Sequence, residues 1–326
     1  MTTQQINTSP ILSDLLVAIQ HFNNSVDAYL DDIGEYEILN PFQNSAQAGS
    51  VQPKEQIDPW FFEAVGIRKV ISSGMNDSTS VSNDFTFIPD NRLIRRDWRS
   101  IKNELVIEKI KSLFSTCSII QFADWTSVYN ASDLWDGLLS DVIRPLNKRD
   151  FHFIFRLGDP VRKLVFETDE IIDIIGDYSN HGRVTLVLNE NEADSLRFVL
   201  NGWKPAATSR IFEALRPGEY LPVFNDMSID ELVILYNKGS ILFDKEGEVV
   251  ITGKSLKNGN AENLDKDYFS AGYQLGLLLE LKIPHCLALG QAVSGIYAES
   301  ESNPNQDALV EYIKEWMMEL EPVYVP

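Results

Sequence analysis

Cysteine is nearly absent. Cys117 and Cys286 are the two in 326 residues. They lie in the apolar-rich runs Ser115–Ile120 and His285–Leu289. Two such residues build no disulfide framework and lack metal-ligand spacing, so buried free thiols are expected. Histidine is also scarce, at 4. His21, His152, His181 and His285 show no partner pattern, and none is assigned a catalytic role. Positive charge is in deficit: 28 Lys and Arg against 48 Asp and Glu leave a formal charge of −20. That excess repels nucleic acid and anionic membranes, and so argues against either as a general partner. It leaves room for a local phosphate site, which needs only a few donors. Long apolar runs are missing too. The longest apolar helix candidate, Tyr268–Leu281, is too short and interrupted to cross a bilayer. Met1–Pro10 is polar, with no basic segment leading into an apolar one, so no signal peptide is expected and the location is read as cytoplasmic.

What is present is an ordinary globular mixture, 44% hydrophobic and 23% charged. The chain reads as one domain over residues 1–326, without solenoid or propeller repeats. Leu12, Leu15, Leu16, Ile19 and Phe22 recur at helical spacing in Ile11–Leu30. Asn40–Gln56 reads as a loop, Phe61–Val65 as a short helix, Lys69–Ser72 as a strand and Asn76–Asn83 as a polar loop or flap edge. From residue 100 the rhythm is strand, helix, strand. Strands are expected at Ser118–Phe122, Phe151–Phe155, Val184–Leu188 and Glu231–Tyr236, then a hairpin from Ser240–Phe243 to Glu248–Thr252. Helices are expected at Ile101–Phe114, Ala131–Ile143, Leu164–Ile175, Glu192–Leu200, Asp267–Leu281, Pro284–Ala298 and Gln306–Met318. Apolar strands alternating with helices mean a mostly parallel sheet covered on both faces. Ligands of such sheets lie outside the carboxyl ends of the strands.

Three stretches carry more specific information. Asp267 opens a helix with small residues at Ser270, Ala271, Gly272 and Gly276, followed by the run Leu277–Leu279 and by Leu287-Ala288-Leu289-Gly290-Gln291-Ala292. Thr185–Leu188 leads into Asn189-Glu190-Asn191-Glu192. Ala64-Val65-Gly66 leads through Lys69-Val70 to Gly74-Met75-Asn76-Asp77. In order and spacing these resemble the PfkB/ribokinase family of carbohydrate kinases over roughly residues 45–320. The resemblance implies a ribokinase-like three-layer α/β/α sandwich with a mostly parallel central sheet and a small β lid, with lid segments near 36–42 and 84–100. It implies ATP, or another nucleoside triphosphate, and Mg²⁺ as cofactors, and a sugar or related small alcohol as substrate. It implies Asp267 as the base that takes the hydroxyl proton, backbone N–H groups of Leu264, Asp265 and Lys266 as an anion hole, and Asn189 and Glu192 holding Mg²⁺ through water. Gly239 and Gly290 would lie near the nucleotide. A homodimer formed through lid strands Tyr36–Phe42 and Asp84–Ile88 is a further implication, and no substrate residue is assigned.

The departures define an alternative. The family's Gly-Ala-Gly is here Leu264-Asp265-Lys266, which puts a negative charge beside the expected phosphate. Tyr236 replaces the first glycine of Gly-x-x-Gly, leaving Gly239. Ala48-Gly49-Ser50 is the one candidate for the early Gly-Gly motif. The alternative is a catalytically degenerate protein that keeps the fold and a small-molecule binding or regulatory role. Asn189 and Glu192 likewise have a purely structural reading, as a helix cap and its third-position partner.

Overall fold

The apolar runs form the middle of a nine-stranded sheet. The computed structural model describes residues 3–5, 7–21, 67–74, 81–87, 97–122, 125–127, 130–200, 220–236, 239–256, 264–300, 302 and 304–320. Its strands are β1 (Thr3–Gln5), β2 (Ile67–Gly74), β3 (Val81–Phe87), β4 (Cys117–Phe122), β5 (Phe151–Phe155), β6 (Gly182–Asn189), β7 (Glu231–Tyr236), β8 (Gly239–Asp244) and β9 (Glu248–Thr252). Their spatial order is β1-β9-β8-β7-β6-β5-β4-β3-β2. Strands β3 to β7 run parallel, while β2, β8 and β9 pair antiparallel with their sequence neighbours.

The helices are α1 (Thr8–His21), α2 (Glu104–Thr116), α3 (Ala131–Leu138), α4 (Val165–Tyr178), α5 (Glu190–Leu200), α6 (Leu221–Asp226), α7 (Lys266–Leu278), α8 (Ile283–Ser300) and α9 (Gln306–Leu320). Side-chain alternation assigns them to layers. Phe153, Phe155, Leu186, Leu188, Leu232 and Ile234 pack with α2 to α6. Ile154, Val187, Val233 and Leu235 point the other way, into α1, α7, α8 and α9. A strand buried on both faces is nearly continuously apolar, and Phe151–Phe155 accordingly carries a single polar residue, His152. The result is a three-layer α/β/α sandwich.

Two expectations about the first third change. Val81–Asn83 belongs to β3, although Ser82 and Asn83 read as part of a loop. Residues 84–87, expected in a lid, also lie in β3, hydrogen-bonded parallel to β4 in the central sheet. Further along the same lid segment, Trp98–Ile101 is a helical turn docked on α3. Trp98 is 4% exposed. Its Nε1 donates to Asp141 at 2.6 Å, and its ring occupies the space a side chain at Gly137 would need. Burying so large an aromatic surface outweighs what a mobile lid position offers. Strand β1 was not anticipated; it adds parallel to β9. Helix α6 was not anticipated either. The expectations at 22–66, including the lid strand Tyr36–Phe42, lie outside the described residues. Among the described residues no helix is long and apolar enough to cross a membrane.

Helices α7 and α8 pack backbone to backbone. A Cβ built at Gly272 would stand 2.7 Å from the Leu289 carbonyl oxygen and 2.8 Å from Gly290 Cα. One at Gly276 would stand 2.8 Å from Cys286 Cα. Gly272→Ala gains about 0.5–1 kcal/mol of helix propensity but overpacks rigid backbone, an effect of about 1–3 kcal/mol. A net loss of stability is therefore expected, seen as a lower urea midpoint at unchanged m-value.

At the amino ends of β5, β6 and β7 lies a buried polar knot. Glu231 accepts from Arg183 Nη2, from Thr185 Oγ1 and, at 3.0 Å, from Tyr273 Oη. His152 Nε2 meets Thr185 Oγ1 at 2.7 Å. Burial first, then the Arg183 charge, pushes His152 down from 6.5 to about 3. The ring is therefore neutral at pH 7 although Glu231 lies 3.7 Å away; Arg183 already answers that carboxylate. Burial pushes the Glu231 carboxyl up. Because the folded pKa of His152 is depressed, its contribution to stability is complete above pH 6.5 and is lost as pH falls toward 3. Acidification from pH 7 to pH 5 should remove about 2 kcal/mol through this group. Glu231 acts with the opposite sign, gaining stability as pH falls. The measurement is thus the difference between wild type and His152→Gln in denaturant melts at the two pH values.

Candidate functional site

Helix α7 begins at the carboxyl ends of β5 and β6, and that placement assembles the site. Arg156 directly follows β5, and its Nη1 pairs with Asp267 Oδ1 in the first turn of α7. Lys266, the first residue of α7, pairs through Nζ with Glu192 Oε1 in the first turn of α5, the helix that follows β6. The Asp267 side chain is 43% exposed, whereas that of Glu192 is 7% exposed. The structure thus brings four residues from three segments together: Arg156, Glu192, Lys266 and Asp267.

Asp265 caps α7. Its Oδ1 accepts from the backbone N–H of Asp267 at 2.7 Å and of Tyr268 at 3.2 Å. Its carbonyl accepts from Phe269 N–H and from Ser294 Oγ, both at 2.9 Å. An aspartate followed by free amides is a favoured helix start, because it satisfies donors that have no partner within the helix. Here it also means that two N–H groups at the helix head point at a carboxylate instead of open space. Leu264, which the family resemblance placed in the anion hole, is buried.

Asn189 and Glu192 form a reciprocal cap. Glu192 N–H donates to Asn189 Oδ1 at 2.9 Å, and Asn189 N–H donates to Glu192 Oε2 at 3.0 Å. Together with Lys266, these contacts engage both Glu192 oxygens and the Asn189 oxygen. The oxygens that were to face a hydrated Mg²⁺ are thus each already engaged by a donor of this chain. Among the described residues no group of three His, Cys, Asp or Glu side chains is placed to hold a metal.

The two glycines expected near the nucleotide meet protein. A Cβ at Gly290 would stand 2.8 Å from the Phe269 carbonyl oxygen, in the α7–α8 interface. Gly239 has φ +153°, and a Cβ there would run into the Ile251 carbonyl of β9. Burial and then Asp194 push the Glu190 carboxyl up. Sequence reasoning missed Arg156. Its signal was position, immediately after a strand that is apolar but for His152.

A family model described as "Prokaryotic ketohexokinase" matches residues 61–316. No curated protein matches. Solved structures with similarity include a carbohydrate kinase from Agrobacterium tumefaciens, at 14% identity and TM-score 0.46, covering 71% of this chain and 63% of that one. Another is the adenosine kinase of Sinorhizobium meliloti, at 13% identity and TM-score 0.47, covering 68% and 59%. A third is the ribokinase of Thermotoga maritima, at 12% identity and TM-score 0.43, covering 62% and 59%. The chain thus spans less than two thirds of the length of each of these three. Asp265→Ala should destabilise the protein by about 1 kcal/mol through the lost cap, readable as a lower melting temperature. The chain belongs to the prokaryotic ketohexokinase family, as a divergent member of the PfkB/ribokinase kinases.

Proposed function

We propose that this protein is a PfkB-type phosphotransferase that moves the γ-phosphate of ATP or another nucleoside triphosphate to a hydroxyl of a sugar or related small alcohol. The observation that carries this reading is the position of Asp267. It is a half-exposed carboxylate at the head of α7, over the carboxyl ends of β5 and β6, where sheets of this kind bind ligands. Family membership supports it, and the family's description names a ketohexose as the type of acceptor. In this reading Asp267 accepts the proton of the attacking hydroxyl. A positioned base contributes about 10²–10⁴ in rate. Arg156 holds that carboxylate in place and sets a positive charge beside the path of the transferring phosphoryl group, where charge stabilisation counts most. No step is assigned to a metal.

A second reading has its own observation. Asp265 Oδ1 sits on two amide donors at the head of α7. A protein so capped keeps the fold and binds a small molecule without efficient transfer, because each well-placed donor withheld from the transition state costs about 10²–10³ in rate.

One set of measurements separates them: nucleotide binding by calorimetry, and nucleoside diphosphate release in the presence of a panel of sugars. For a phosphotransferase, Asp267→Asn should lower turnover by about 10²–10⁴ while nucleotide affinity stays within a few fold. Nucleotide binding without turnover supports the second reading. Turnover indifferent to Asp267→Asn removes the proposed base. No binding at millimolar nucleotide argues against the phosphotransferase.

A further inference from the structure

We propose that Lys266 is the built-in cation of this site and stands where a divalent ion would otherwise meet Asn189 and Glu192. The argument begins with Glu192. Its side chain is 7% exposed, and a carboxylate that deep needs a countercharge. The countercharge here is Lys266 Nζ on Oε1, while Oε2 takes the Asn189 N–H. Asn189 Oδ1 is held by the Glu192 N–H. Every oxygen that would face a hydrated Mg²⁺ is already matched to an N–H donor of this chain.

Electrostatics points the same way. An ammonium beside Glu192 neutralises the charge that would attract a dication and repels the dication itself. The Lys266 side chain is 21% exposed, so the pair is only weakly screened by solvent. Lys266 is the first residue of α7, and Asp265 immediately before it fixes the helix start. The ammonium is thus held by a short, ordered stretch of backbone. Lys266 here is a positioning residue: it fixes Glu192, and through the reciprocal cap it fixes the β6–α5 corner. Any divalent ion that the proposed transfer uses then arrives on the nucleotide's own phosphates, not at a resident protein site.

The inference deepens the phosphotransferase reading, and its test contains no nucleotide, so the two can fail separately. The full-length protein is titrated with Mn²⁺, and free Mn²⁺ is followed by electron paramagnetic resonance. Wild type is expected to show no Glu192-dependent site at submillimolar Mn²⁺, with wild type and Glu192→Gln giving the same curve. Lys266→Met should gain a site about 10–100-fold tighter, and adding Glu192→Gln should abolish it. Lys266→Gln keeps a hydrogen bond to Glu192 and guards against a variant that fails to fold; it should bind Mn²⁺ more tightly than wild type as well. A submillimolar wild-type site that Glu192→Gln removes overturns the proposal. So does a folded Lys266 variant that binds Mn²⁺ no better than wild type. Loss of Asp267-dependent turnover alongside the expected Mn²⁺ behaviour would defeat the transferase reading alone.

Discussion

The meeting of the α7 head with the loops that follow β5 and β6 is the constraint on which the site depends. Two ion pairs make it, Arg156 with Asp267 and Lys266 with Glu192. They join residues 111 and 74 positions apart in the chain. The pairs are partly shielded from water, so losing one partner would strand a charge. They set the direction in which Asp267 faces, and with it any chemistry at this end of the sheet.

Those pairs can form because the layer beneath them is rigid. Helix α7 lies against α8 at a distance that only glycine permits at residues 272, 276 and 290. On its other side it meets the sheet through Phe269, Tyr273 and Leu275, in the core shared with Ile154 and Val187. Gln274 Nε2 also donates to Gln121 of β4. A helix wedged between a close-packed neighbour and a buried sheet has little freedom to slide, because interiors packed to crystal density do not yield gradually. The small residues of α7 therefore serve the geometry of the site indirectly, by fixing where the helix begins.

Much of this was legible in the sequence. The runs Phe151–Phe155 and Glu231–Tyr236 match their strands residue for residue, because strands buried on both faces admit few polar side chains. Asp267 was legible as the start of a helix, and the Asn189–Glu192 cap was legible as spacing. Strands β1 and β3 were not. In Val81–Phe87 the polar residues mimic a loop, and three residues of β1 give no periodicity to read. Arg156 was also hidden. Local pattern reports which face a residue occupies, while its partner is chosen by the packing of distant segments. The replacement of Gly-Ala-Gly by Leu264-Asp265-Lys266 was visible as a departure. That Asp265 folds back on the amides, and that Lys266 reaches across to Glu192, required three dimensions.

The aspartate at residue 265 has one more consequence. A carboxylate only two and three residues along the chain from the amides it binds competes at an effective concentration of millimolar order or above. Dilution and dialysis cannot wash it away, and it is always the first ligand to arrive. An incoming phosphate at the head of α7 therefore faces an exchange, its affinity reduced by the occupancy of a tethered rival. Selectivity follows from that competition. An anion held by those amides alone would gain too little to turn the resident group out, and one with additional contacts to the chain would gain more.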